Sequence, residues 1–168
     1  MLIKFCDNVD KLNDWTGRIA AFLIFPLCFF VFYEVISRYV FSSPTIWAWD
    51  VNVQLLGVLV AIGGGYALLH DSHVGVDVLV VNRSRKTRIV IELITYVFFF
   101  ITIGLFLIVG IEQAWVATKT KEVDATFFAP PVYPLKIIIA VGFLLLLLQG
   151  VSKFIHLIIK YGSEMGDK

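Results

Sequence analysis

Residues 38–77 read RYVFSSPTIWAWDVNVQLLGVLVAIGGGYALLHDSHVGVD, and this stretch decides the fold. From Val51 to Leu69 it holds no charged residue, a run that as a helix covers roughly 28 Å, about one hydrocarbon core. Trp47 and Trp49 stand just before it, as residues that favour the membrane interface. Ser43 followed by Pro44 predicts the helix start, because a serine hydroxyl can cap free N–H groups and a proline in first position leaves none unsatisfied. Within the run Gly57, Ala61 and Gly65 recur every fourth residue, with Gly63 and Gly64 beside them. One helix face is therefore smooth enough for another backbone to approach closely.

Working outward, composition agrees with that reading. The chain has 168 residues, 59% of them hydrophobic and 16% charged, with a mean hydropathy of +0.87. These values exclude a water-soluble fold and predict an all-α integral membrane protein. The net charge of +1 gives no footing for nucleic acid. Cys6 and Cys28 would lie at different depths, which predicts free thiols.

The remaining segments give a single membrane domain over 1–168. Residues 1–18 place Leu2, Phe5, Val9 and Leu12 among Lys4, Asp7, Asp10, Lys11 and Asp14, a pattern of an amphipathic interfacial helix or of a solvated tail. No small-residue cleavage site follows the first apolar run, so the segment is expected to be retained. Spans are predicted at about 19–37, 44–70, 88–112 and 135–159. Pro26 predicts a kink in the first span, and Glu34 and Arg38 are spaced for a helical ion pair at its far boundary. Arg88 and Glu92 repeat that spacing after Ser84, a predicted N-cap. Residues 70–81 fit either a short extended piece or a re-entrant segment. Pro130, Pro131 and Pro134 predict an irregular connection before the fourth span, and Phe127, Phe128 and Tyr133 suit it to the interface or to a partner. Lys136 and Lys153 are placed to snorkel at the ends of that last span.

Ten of the 14 Lys and Arg residues fall on the side of the two termini and the middle loop. The positive-inside rule makes that side cytoplasmic, so both termini are expected inside.

No Walker loop, dinucleotide fingerprint, nucleophile elbow or zinc-type cysteine pairing occurs, so an enzyme is not predicted. His70, His73 and His156 fall near the ends of the second and fourth spans. A haem between those helices is the sharper reading of them, and solvated or hydrogen-bonded interface histidines the plainer one. A metal site from His70, His73 and Asp77 would need a helix through Gly75. Glu34, Arg38, Asp50 and Glu92 could line an ion path, but all fall near predicted span ends. Asn52 and Gln54 are the strongly polar residues read as lying well inside a span. A small scaffold subunit is thus favoured over a self-sufficient transporter.

A set of ordered pieces bears on that choice. Arg38-Tyr39-Val40-Phe41, Ser43-Pro44-Thr45-Ile46-Trp47-Ala48-Trp49-Asp50, Gly63-Gly64-Gly65-Tyr66-Ala67-Leu68, His73-Val74-Gly75-Val76-Asp77, Pro131-Val132-Tyr133-Pro134-Leu135-Lys136 and Leu148-Gln149-Gly150 follow one another along the chain. Together they resemble the small membrane subunit (DctQ-type) of tripartite ATP-independent periplasmic (TRAP) transporters, over about residues 10–158. Two positions depart from that family: Asp50 stands where Glu is frequent, and Gly75 where Arg or Lys is common.

The resemblance implies a multi-pass protein of the bacterial inner membrane with no cofactor. It also implies two partners besides the lipid bilayer: a large membrane subunit (DctM-type) and a periplasmic solute-binding protein (DctP-type). In such systems the binding protein delivers an organic anion, and the large subunit moves it by a sodium-coupled elevator motion. The small subunit packs on the stationary scaffold. The partner-interface candidates are Gly57, Ala61 and Gly65 on the smooth face, Arg38, Trp47, Trp49 and Asp50 at the outward end, and Tyr133 and Lys136 after the proline-rich loop. Ala61→Leu is expected to weaken association with the large subunit. Arg38 is expected either to pair with the binding protein or to serve only Glu34 or a lipid phosphate.

Overall fold

A computed structural model describes residues 2–70 and 85–166, with side chains described over 2–70 and 89–159. The predicted pieces at 71–84, including Ser84, His73, Gly75 and Asp77, lie outside the described residues, as does the side chain of Arg88 that was expected to pair with Glu92. Five helices make up the described chain: α1 (Leu2–Ala21), α2 (Ile24–Tyr39), α3 (Ala48–Leu69), α4 (Arg85–Thr120) and α5 (Tyr133–Gly166). Four stretches are long and apolar enough to cross a membrane: Leu2–Tyr39, Ala48–Leu69, Ile89–Thr120 and Tyr133–Ile159. The chain is an all-α protein with four such helices.

The N-terminal helix extends to Ala21, past the expected end at residue 18, and the chain then breaks at Phe22 and Leu23. The expected kink at Pro26 is thus moved one turn upstream. A proline ring has no room beside the carbonyl four residues before it, here that of Phe22. That carbonyl accepts instead from the N–H of Phe25 at 3.3 Å. Pro26 falls in the first turn of α2, where its missing N–H leaves no bond unmade.

The predicted start of α3 is corrected in the same way. Ser43 does not cap a helix; α3 begins at Ala48. The Ser43 N–H donates to the Ser37 carbonyl at 2.9 Å, and Glu34 takes the N–H of Thr45 at 3.1 Å and its hydroxyl as well. Tying residues 43 and 45 back to α2 holds them off helical geometry. The N-cap residue is Trp47, which makes no side-chain cap bond, and Thr45 Oγ1 accepts from the Ala48 N–H at 3.4 Å.

At its far end α4 runs eight residues beyond the predicted limit of 112, to Thr120. It stops in a left-handed turn at Lys121 (φ 49°): Glu122 N–H bonds the Ala117 carbonyl at 3.0 Å and Lys121 N–H that of Thr118 at 3.4 Å. This is the paired closure that satisfies the last carbonyls of a helix, built here without glycine. The connection to α5 folds back as a narrow strap, with Asp124 N–H on the Pro130 carbonyl and Val132 N–H on that of Glu122.

The spans do not close into a bundle. Among the described residues of the spans, α2 packs on α3, α3 on α5 and α5 on α4, and no other pair of spans packs along its length. They form an open row, with α1 laid across α3 and α5. The core sits on α5, and α2 has no buried residue.

Candidate functional site

Two constructions flank the row, one at the Trp47 end and one at the His70 end. At the Trp47 end, Arg38 grips Glu34 through Nη2 at 2.5 Å and Nε at 3.0 Å. The other Glu34 oxygen holds Thr45, so one carboxylate joins the end of α2 to the start of α3. Trp47 completes that joint, edge-on to Phe30 and stacked on Tyr33. It serves α2–α3 packing as well as any interface.

The strap docks on the same end. Asp50, 5% exposed, accepts a 2.6 Å hydrogen bond from Thr126 Oγ1. Gln54 Nε2 donates to the Pro131 carbonyl at 3.1 Å, and Lys136 Nζ reaches both Glu122 oxygens at 2.7 and 2.9 Å. Charge-assisted bonds of this kind fix a loop with no regular structure of its own. Between Thr45–Asp50 and Ala125–Phe127 a cleft of about 570 Å³ remains. Phe127, fully exposed, and Trp49, 75% exposed, give it an apolar rim open to the surroundings.

The face of Gly57, Ala61 and Gly65 is covered from within the chain. A Cβ on Gly57 would meet Leu135, one on Gly142 would strike the Ala61 backbone, and one on Gly65 would lie 2.1 Å from Asn13 Oδ1. Within the chain, the helix seated on this face is α5, with α1 beside it. The direction of a Cβ at Gly65 is that of a Cα–H, which therefore points at an Asn13 oxygen that has no other donor.

At the His70 end, α1 locks onto the row through polar groups. Asn13 Nδ2 donates to Gln149 Oε1 at 2.8 Å, and Asp10 Oδ1 accepts from Gln149 Nε2 and Ser152 Oγ, each at 2.8 Å. Asn13, Gln149 and Ser152 are fully buried. At 100° per residue α1 shows three faces roughly 120° apart. Cys6, Val9, Asn13, Gly17 and Ala20 face the row. Phe5, Leu12, Trp15 and Ile19 are exposed and apolar. Lys4, Asp7, Lys11, Asp14 and Arg18 form a charged arc. This is the shape of a helix shared among protein, lipid and water. Asp14 accepts from Arg18 at 2.8 Å and contacts His70 Nε2 at 3.2 Å. His156 Nδ1 lies 3.1 Å from the Ser152 carbonyl on its own helix. The two imidazoles are thus engaged with different helices.

Several of these residues gain their role only in the structure. Gln149 enters the sequence reading only through the Leu148-Gln149-Gly150 piece, although an amide inside an apolar run is itself the signal of a buried hydrogen-bond network. Thr45, Glu122 and Thr126 had no such signal; they matter only because folding sets them against Glu34, Lys136 and Asp50.

Comparison with known proteins adds an independent line. The family described as "Tripartite ATP-independent periplasmic transporters, DctQ component" matches residues 27–160. The C4-dicarboxylate TRAP transporter small permease protein DctQ of Vibrio cholerae is 26% identical over 85 residues, 51% of this chain and 34% of that protein. The sialic acid TRAP transporter permease protein SiaT of Haemophilus influenzae is 28% identical over 104 residues, 62% of this chain and 16% of its own length. The match thus spans about a third of one relative and about a sixth of the other.

Proposed function

Because the chain belongs to the DctQ component family of TRAP transporters and is a multi-pass protein of the inner membrane, we propose that it is the scaffold that steadies a large membrane subunit. The transport it supports is sodium-coupled, binding-protein-dependent uptake of an organic acid. The open row carries this reading. Among the described residues the four spans lie side by side, with α2 unburied and α4 packed along α5, and leave broad apolar surfaces. Buried polar groups lie at the two ends, Asp50 at one and Asn13, Gln149 and Ser152 at the other. Between them a solute would meet few polar partners, Asn52, Gln54 and Glu112 among them. A second subunit that moves the solute, braced by this one, removes the difficulty. Names of the relatives point to carboxylate cargo, a C4-dicarboxylate in one case and sialic acid in the other.

The excess of Lys and Arg beside the termini and the middle loop supports a cytoplasmic His70 end and an outward Trp47 end. Arg38, Trp49, Asp50, Tyr133 and Lys136 then stand on the side where a binding protein arrives. Arg38, half-exposed beyond its bond to Glu34, can offer its remaining N–H groups to a carboxylate on that protein. The test is to purify the tagged chain from its native membrane and reconstitute what comes with it. Co-purification of a large multi-span subunit, with solute uptake that needs both chains, a binding protein and a sodium gradient, is the expected result. Uptake by this chain alone would overturn the proposal.

A further inference from the structure

We infer that the groove between α4 and α5 at the Trp47 end receives a membrane-spanning helix of the large subunit, and that this helix presents a Lys or Arg to Glu112. The inference rests on the scaffold reading above and names the face and the contact.

The two helices pack on each other along much of their length. Toward the His70 end they interlock through Tyr96, Phe99, Phe100 and Phe154, with Gly150 admitting the ring of Phe99 so closely that a Cβ there would lie 2.2 Å from it. Toward the Trp47 end Ala114 and Ala117 on α4 and Ala140 on α5 are buried, and beside them lies a groove of about 850 Å³. Its walls are Ile108, Ile111 and Trp115 on one side and Ile137, Val141 and Leu144 on the other. Glu112 lies on the same wall.

Its depth follows from packing. Gly110 rests on Ala140, and Gly142 on Ala61. Glu112, two residues from Gly110, is therefore about level with Gly57 to Leu59, inside the charge-free run of α3. It lies roughly 12 Å along α4 from the Thr120 end and one turn below Trp115, a residue suited to the interface. Among the described residues no hydrogen bond or ion pair satisfies its carboxylate. The nearest lysines along the two helices are committed elsewhere: Lys119 lies over the Trp115 ring at 4.6 Å, and Lys136 holds Glu122.

An ionisable group at such a depth faces protein or a partner charge, because against acyl chains it has neither solvent nor counter-ion. The cation has to come from outside this chain. A lipid amine belongs at the headgroup level, above Trp115, so the complementary charge is placed on a helix that fills the groove.

The experiment uses the intact assembly in its native membrane. A photo-crosslinking amino acid is placed at Ile108 or Val141, with Phe25 on α2 as the reference position, and Glu112→Asp, Glu112→Gln and Glu112→Lys are compared by co-purification. Adducts to the large subunit from 108 and 141 are expected. Glu112→Lys should lower the co-purified large subunit at least about tenfold, Glu112→Gln less, and Glu112→Asp little. Adducts only to lipid or to a second copy of this chain, while the two subunits still co-purify, would overturn the inference, as would undiminished co-purification of Glu112→Lys. If the unaltered chain retrieves no large subunit, it is the scaffold reading that fails.

Discussion

Gly142 lies against Ala61 so closely that a Cβ on Gly142 would stand 2.3 Å from the Ala61 carbonyl oxygen and 2.7 Å from its carbonyl carbon. Neither atom can swing aside, since both belong to the α3 backbone. The contact sets the distance between the central helices of the row, and everything at the two ends depends on it.

Gly142→Ala is therefore expected to force α3 and α5 apart and to cost about 1–3 kcal/mol, as for an overpacked core. Gly63, on the same α3 but with nothing within 4 Å of its would-be Cβ, is the control. Gly63→Ala should be neutral or stabilising by up to about 1 kcal/mol through helix propensity. Thermal unfolding of the two variants in one detergent distinguishes them; equal melting temperatures would contradict the packing described.

Ala61→Leu acts at the same contact. Its first effect is expected inside the chain, as a lowered melting temperature of the isolated subunit, with loss of the large subunit following from it. A variant that melts normally in isolation yet fails to retrieve the large subunit would show that Ala61 contacts the partner directly.

Gln149→Leu removes one amide and leaves Asn13 and Asp10 short of partners in a buried setting. A cost of about 1–3 kcal/mol is expected. It should appear locally: hydrogen exchange of α1 speeds up while that of α4 does not change. Uniform acceleration across all helices would argue against a lock confined to α1.

Lys121 holds a left-handed conformation (φ 49°) that a glycine adopts without strain. Lys121→Gly should leave the closure of α4 intact and raise stability by about 0.5–1 kcal/mol, read as a higher melting temperature. Destabilisation would mean that the Lys121 side chain contributes more than its backbone costs.

Much of this architecture is determined by the sequence alone. The charge-free run Val51–Leu69, the leucine run before Gln149 and the distribution of lysine and arginine depend only on chemistry along the chain, so four spans, a helical class and a membrane setting can be read from them. The spacing of Glu34 and Arg38 is equally local, and the ion pair it suggests is present. Tertiary structure decided what depends on which helix lies beside which. Spacing showed that Gly57, Ala61 and Gly65 make a smooth face, but only packing showed that α5 and α1 cover it. Ser43 had the chemistry of a cap, yet Glu34, eleven residues before Thr45, ties the turn back to α2, and α3 starts only at Ala48. The position of Glu112 shows the same limit. Along the chain it marks the end of an apolar run, whereas the packing of Gly110 on Ala140 and of Gly142 on Ala61 sets it inside the apolar depth of α3, because depth belongs to the assembled row and not to any one helix.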